Sequence, residues 1–144
     1  MKFLATATIA AALLGVSFGT CLAADPLGTW HTEEGKATVR IAACGPALCG
    51  TIIALKEATD PDGKPKTDKN NGDTSLRSRP LIGVQIVLAM KPSGTANKWS
   101  GQVYNAEDGK TYSGSLTLQD ANTIKLEGCV IAILCKSAIW TRAS

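Results

Sequence analysis

The chain has 144 residues, with 15 lysines and arginines against 12 aspartates and glutamates, so its formal net charge at neutral pH is +3. This length suits one domain. Residues 1–24 hold one of the lysines, so the remainder, with 14 basic and 12 acidic side chains, is close to neutral. Nucleic-acid-binding proteins normally carry a basic stripe, which this sequence lacks, and we expect no nucleic-acid partner.

The N-terminal segment has the order of features found in export signals. Lys2 is followed by an apolar run over residues 3–18, then by small residues, and Asp25-Pro26 ends the pattern. A membrane-spanning helix needs about 20 apolar residues, and this run is shorter. We therefore interpret residues 1–24 as a cleaved signal peptide. Residues 25–144 are then the mature domain, periplasmic or secreted, with no membrane insertion after cleavage.

After the signal, apolar and polar residues alternate as they do in half-buried β-strands. The clearest case is the segment 111–119, where Tyr112, Gly114, Leu116 and Leu118 share one face. About eight such segments, separated by turn signals, predict an all-β domain that is a closed barrel or a sandwich. In chain order they are Gly28–Thr32, Thr38–Ile41, Thr51–Leu55, Ile82–Met90, Trp99–Tyr104, Thr111–Gln119, Ile124–Glu127 and Ala138–Arg142.

The stretch 57–80 interrupts this pattern with a long polar loop rich in charges, prolines and glycines. A connection of this length is uncommon in a compact domain and is often functional or disordered. Arg79 precedes Pro80, which favours an extended backbone. Its guanidinium can then form a bidentate pair with a carboxylate such as Asp73. We expect Arg77 and Arg79 to anchor the loop over the mouth of the barrel.

Cysteine usage agrees with export. Cys44 and Cys49 flank a short loop between two predicted strands, and Cys129 and Cys135 flank another. Facing Cα atoms in antiparallel strands lie about 4.5–5.5 Å apart, within the reach of a disulfide. In an oxidising compartment we expect the local disulfides Cys44–Cys49 and Cys129–Cys135. The alternatives are bridges between the two hairpins and four thiolates on zinc.

Few residues suit catalysis. The only histidine, His31, follows Trp30 on a strand, so it should face solvent if the tryptophan points inward. No nucleophile elbow occurs, and the cysteines are expected in bridges. The segment 68–73 resembles a calcium loop only loosely, because it lacks the bidentate glutamate. We therefore predict no enzyme, no cofactor and no metal.

The opening Gly28-Thr29-Trp30 and the late Arg142 resemble the signature of lipocalin-type barrels, in which the arginine lies across the face of the tryptophan. A longer series of motifs resembles DUF2147, a family of small secreted bacterial proteins, over nearly the whole mature chain. The resemblance implies a lipocalin-like up-and-down antiparallel barrel in the envelope and brings no established activity. Where the family has Asn-Pro-Asp, this chain has Asn71-Gly72-Asp73. The series comprises Gly28-x-Trp30, Ile41-x-x-Cys44, Leu48-Cys49-Gly50, Arg79-Pro80-Leu81-Ile82-Gly83, Trp99, Gly109-Lys110-Thr111-Tyr112, Gly128-Cys129, Leu134-Cys135 and Trp140-x-Arg142.

Two functions fit this barrel. A barrel of about eight strands can hold one small ligand, so we predict a non-enzymatic envelope protein that binds a small, largely apolar ligand. Trp99 and Tyr112 would contact the ligand together with the loop residues Asp73, Arg77 and Arg79. Inward glycines would leave the space, unless they only ease the bending of the barrel. These glycines are Gly101, Gly114 and Gly128.

The second function is a protein-interaction or dimerisation module of the envelope. The predicted strand Ile82–Met90 is apolar on both faces apart from Gln85, so its outer face could meet a second copy or an envelope protein. The long loop would then serve as a contact arm. The alternative is that a loop or terminus of the same chain covers this face.

Export should remove the signal peptide. Cleavage after Ala23 fits the small-x-small rule, with Cys21 and Ala23 as the small residues, and cleavage after Ala24 is nearly as good. The intact mass of exported protein should therefore correspond to a chain beginning at Ala24 or Asp25. A mass that includes acyl chains on Cys21 would instead identify a lipoprotein.

Overall fold

The computed structural model describes residues 15–16, 25–131 and 133–144, so the predicted signal peptide lies outside the described residues apart from 15–16. Each of the eight strands pairs antiparallel with the next, and β8 pairs with β1, so the sheet closes on itself. This confirms the up-and-down antiparallel barrel. The strands are β1 Gly28–His31, β2 Ala37–Cys44, β3 Ala47–Leu55, β4 Gln85–Pro92, β5 Lys98–Asn105, β6 Lys110–Asp120, β7 Thr123–Ile131 and β8 Leu134–Arg142.

Among the described residues, the helical content is confined to two short 3-10 turns, Glu33–Gly35 and Thr74–Leu76. No helix in the described part of the chain is long and apolar enough to cross a membrane.

Because consecutive strands are antiparallel, the connections divide between two ends of the barrel. One end carries the chain entry at Gly28 and the turns after β2, β4 and β6. The other end, called the loop end below, carries the turns after β1, β5 and β7 and the long connection 56–84.

Side chains fill the interior of the barrel. On β6 and β7, Leu116 faces Leu126 and Leu118 faces Ile124, as the alternation predicts. Each fully buried aliphatic side chain contributes about 1.5–3 kcal/mol to folding. The buried cluster comprises Trp30, Val39, Ile41, Ile52, Val87, Met90, Leu116, Leu118, Ile124, Leu126 and Trp140. At the level of this cluster the interior is a packed core.

The inward glycines do not leave the space that the sequence suggested. A Cβ at Gly101 would lie 2.6 Å from the carbonyl oxygen of Leu88, in a stretch where the pairing of β4 with β5 is irregular. A Cβ at Gly114 would lie 2.5 Å from Cγ2 of Val103. Both distances are below any real contact, so glycine is needed because neighbours already occupy these positions. At Gly128 a Cβ would sit in ordinary contact, 3.5 Å from the Cβ of Tyr112.

Arg142 closes the barrel end at which the chain enters. Its guanidinium carbon lies 4.2 Å from the ring centroid of Trp30, the contact that the lipocalin-like signature predicts. The indole N–H of Trp30 donates to the carbonyl of Pro26 at 2.8 Å. The guanidinium also donates to three backbone carbonyls at 2.6–2.8 Å, those of Ala121, Leu27 and Asp25. One cation thus joins the first strand, the last strand and the β6–β7 turn.

Gly28 makes room for this closure. Its φ is +120°, a conformation that side-chain-bearing residues rarely adopt. A Cβ at this position would lie 2.7 Å from the carbonyl oxygen of Ser144 and 3.0 Å from Nη1 of Arg142. The backbone of Ser144 and the side chain of Arg142 therefore pack directly on the glycine backbone.

The two disulfides are Cys44–Cys49 and Cys129–Cys135, which agrees with the predicted local pairing. The first differs in geometry from the expectation, because β2 and β3 are joined by only two residues, Gly45-Pro46. Cys44 and Cys49 each pair in the sheet with an alanine, so their bond crosses the hairpin diagonally, with Cα atoms 5.8 Å apart. Cys129 and Cys135 face each other directly. Bonded sulfurs are not thiolates, so they do not form a zinc site.

Candidate functional site

A charged side chain of the long loop, Asp68, is completely buried. Its Oδ1 accepts a hydrogen bond from the hydroxyl of Tyr104 at 2.5 Å. Its Oδ2 accepts from Nδ2 of Asn71 at 2.8 Å and from Nε and Nη2 of Arg79 at 2.9 and 2.8 Å. A buried charge destabilises a fold unless it is paired and hydrogen-bonded. These four residues, called the Asp68 network below, meet that condition.

Tyr104 reaches the network because it lies on the outer face of the barrel. Its neighbour Val103 pairs with the buried Val87, so the next side chain along β5 emerges on the opposite face. An outward tyrosine would normally be exposed, but this one is 7% exposed. The long loop therefore folds back over the outside of the sheet. The side chain of Asn70 fastens the fold-back by donating to the carbonyls of Ala106 and Glu107 at 3.3 and 3.0 Å.

The loop brings Arg79 to Asp68 through its own backbone. Thr67 and Pro80 form an isolated antiparallel bridge, and the N–H of Asp68 donates to the carbonyl of Arg79 at 2.9 Å. Nε of Arg77 donates to the carbonyl of Asn71 at 2.7 Å, which holds the turn between the two bridged segments. Both predicted arginines thus anchor the loop.

The predicted partner of Arg79 is wrong. Oδ1 of Asp73 accepts from the N–H and the hydroxyl of Ser75 at 2.9 and 2.6 Å and so caps the 3-10 turn Thr74–Leu76. A carboxylate two residues before a serine is satisfied locally in this way. Arg79 pairs with Asp68 instead, through Nε and Nη2 that both donate to Oδ2, because the backbone bridge places those two side chains together.

The network shifts the pKa values of two of its members. Burial alone would raise the pKa of Asp68, but the hydrogen bonds from Tyr104, Asn71 and Arg79, together with the charge of Arg79, hold it below its usual 3.8. Burial, and then the hydrogen bond to Asp68 and its negative charge, raise the pKa of Tyr104 to about 12. At neutral pH the pair is therefore a carboxylate and a protonated phenol.

A groove of about 630 Å³ lies between the long loop and the outer faces of β4, β5 and β6. Leu88, on the outer face of β4, lines it beside Gln85, while Leu76 and Arg79 line it from the loop. The strand expected at Ile82–Met90 begins at Gln85, and Leu88 on its outer face lines the groove together with residues of the long loop.

The other predicted ligand contacts lie outside the groove. Trp99 pairs with Leu116, and Tyr112 pairs with Val103. The two aromatic residues are thus separated by four residues along β6, about 13 Å. The hydroxyl of Tyr112 donates to Oδ2 of Asp108 at the loop end. Of the five predicted residues, Arg79 lines the groove, Arg77 and Asp73 shape its wall, and the two aromatics lie elsewhere.

Sequence reasoning missed Asp68, Asn71, Tyr104 and Leu88. Tyr104 carried a usable signal, since it is an aromatic residue on the polar face of its predicted strand. Asp68 carried no sequence signal that separates it from the other aspartates of the loop.

His31 is exposed, as expected, with Nδ1 3.2 Å from Oγ1 of Thr38.

The barrel is lipocalin-like, because its sheet is closed, its interior is packed with side chains, and an arginine lies across the tryptophan of the first strand. The family described as "Uncharacterized protein conserved in bacteria (DUF2147)" matches residues 28–142, and the chain belongs to that family. Among solved structures, the chain is similar to HP1028 of Helicobacter pylori, which is described as a member of the lipocalin family. The two are 22% identical, the match covers 85% of each chain, and the TM-score is 0.72, which shows a shared fold. A search of curated proteins finds no match.

Asp68→Asn should release the loop. The substitution keeps the size of the side chain but removes the charge that Arg79 and Tyr104 share, so the free energy of unfolding should fall by about 2–3 kcal/mol. Trypsin should also cut the segment 60–77 faster, after Lys66, Lys69 or Arg77. Asp73→Asn is the matched control, because its carboxylate is exposed and only caps a short turn. Equal effects of the two substitutions would contradict the role of the network.

The phenol of Tyr104 should ionise late. The chain has two tyrosines, so Tyr112→Phe leaves Tyr104 as the only tyrosine chromophore. In the folded variant, tyrosinate absorbance should rise with a midpoint near pH 12. In urea, where the chain is unfolded, the midpoint should lie at pH ~10. Because the folded state holds the proton more tightly, this stabilisation is complete below pH ~10 and is lost as the pH rises through the folded value. A titration midpoint at pH ~10 in the folded variant would show that the Tyr104 hydroxyl does not donate a hydrogen bond to Asp68.

Proposed function

We propose that the chain is the precursor of an exported, non-enzymatic binding protein of the cell envelope. Its ligand is small and partly apolar, and it occupies the groove between the long loop and β4–β6. The groove itself carries this proposal, because the core residues and the close packing at Gly101 and Gly114 leave little room for a ligand at that level of the barrel interior.

The lining of the groove suits such a ligand. Binding sites for small molecules are concavities of about 300–1,000 Å³ with apolar walls and a few fixed polar groups. Leu76 and Leu88 supply apolar surface, and Gln85, Thr111 and Arg79 supply hydrogen-bonding groups. The Asp68 network holds the wall in place before a ligand arrives, which lowers the entropy lost on binding. Because Asp68 offsets the charge of Arg79, the ligand need not be an anion.

The protonation states of the network support binding over catalysis. A general acid or base works best when its pKa lies near the operating pH. The pKa of Asp68 lies below 3.8 and that of Tyr104 is about 12, so neither group exchanges a proton readily at neutral pH. The hydrogen bonds to both oxygens of Asp68 also leave little capacity for a substrate.

Export and the domain boundaries belong to the same proposal. The signal-like segment 1–24 would be removed and the barrel of residues 25–144 would act outside the cytoplasm. Two disulfides support this location, since disulfides form and persist in oxidising compartments.

Native mass spectrometry of protein purified from its own periplasm tests the proposal. Wild-type protein should retain a small molecule, and Thr111→Arg should lose it, because Thr111 is exposed on the floor of the groove. Ser113→Arg is the matched control, an exposed residue two positions further along β6 that does not line the groove. An empty wild-type protein, or a ligand still held by Thr111→Arg, would contradict the assignment.

A further inference from the structure

The turn between β7 and β8 exposes large aliphatic side chains at the loop end. Val130, Ile131, Ile133 and Leu134 are 69%, 53%, 85% and 62% exposed. These four residues, called the apolar tip below, do not line the groove. Contiguous exposed apolar patches in soluble proteins mark interaction sites or aggregation hazards. The apolar tip therefore calls for an occupant other than the ligand of the groove.

The hairpin presents this tip in a fixed form. Cys129 and Cys135 face each other across the two strands at its base and are bonded. Beyond them, Ile131 pairs with Leu134. The disulfide restricts the hairpin before any contact forms, so little ordering entropy remains to be lost on docking.

Size and composition favour a lipid surface over a protein partner. A stable protein interface takes about 800 Å² and 20–30 residues from each partner. Four side chains are too few for two tips to form such an interface with each other. Cores of protein interfaces are enriched in aromatic residues, methionine and arginine. The tip contains only valine, isoleucine and leucine, which partition into hydrocarbon.

The charge at the base of the tip also favours a lipid surface. Lys136 is exposed and directly follows Cys135. Among the ion pairs of the described residues none involves Lys136, whereas the nearby Glu127 is paired with Lys125 at 3.4 Å. An exposed lysine beside an aliphatic tip complements a bilayer surface that carries anionic headgroups.

We propose that the apolar tip docks the protein on the surface of an anionic lipid bilayer, with the four aliphatic side chains in the interfacial region and Lys136 among the headgroups. The contact is peripheral and spans nothing, as in other proteins that lie on a membrane. It is independent of the ligand proposed for the groove, since different residues make the two sites.

Vesicle co-sedimentation of the mature, oxidised protein tests this. Wild-type protein should sediment with vesicles of phosphatidylglycerol and phosphatidylethanolamine. The double variant Ile133→Ser with Leu134→Ser should bind at least about tenfold more weakly, because two side chains lose their transfer into hydrocarbon. Lys136→Gln should weaken binding to these vesicles more than binding to pure phosphatidylcholine vesicles.

Ile82→Ser is the control for loss of an exposed isoleucine, since Ile82 is 46% exposed and lies outside the tip. It should bind vesicles like the wild type. All variants should unfold at wild-type temperatures, because the substituted side chains are exposed. No wild-type sedimentation, or equal sedimentation of the double variant, would overturn the proposal. A dimer in sedimentation velocity that the double variant loses would also overturn it and would identify a second copy as the occupant.

Discussion

A carboxylate removed from water needs donors on both oxygens, and the arrangement of the loop end depends on how Asp68 finds them. One donor, Tyr104, is 36 residues away on the outer face of β5, while Asn71 and Arg79 belong to the same loop. The network therefore ties a long polar connection to the sheet at one buried point. Because that connection forms a wall of the groove, the buried charge helps to hold this wall against the sheet.

The packed core explains why the candidate site lies outside the barrel. With eight strands, the interior of a barrel is just wide enough for side chains to fill or for one small ligand. Here two tryptophans and nine aliphatic or thioether side chains take that volume. The candidate binding surfaces that remain are those the connections build at the loop end, namely the groove under the long loop and the apolar tip of the last hairpin.

The two ends of the barrel are stabilised by different means. At the entry end, Arg142 gathers backbone carbonyls from separate segments and covers Trp30, so chain entry, chain exit and a turn are held together. At the loop end, each connection has its own fastening: the Asp68 network ties the long loop to β5, and the Cys129–Cys135 bond holds the last hairpin.

The sequence by itself determined the features whose causes are local or periodic. Alternation along β6 identified its buried face, because successive side chains of a strand point to opposite sides. Two cysteines on one hairpin are neighbours whatever the rest of the chain does, so the disulfides followed as well. The order of motifs identified the family and, with it, the contact between Trp30 and Arg142.

Tertiary structure alone decided the rest, since each remaining question turned on which distant groups meet. Asp68 and Asp73 look alike in sequence, and only the fold-back of the loop buries one and leaves the other as a cap. An inward glycine is equally consistent with a void and with close contact, and the position of Val103 settled that at Gly114. The apolar run after Cys129 resembles a buried strand, yet it projects beyond the last pair of β6 with β7, and its side chains are exposed in the described part of the chain.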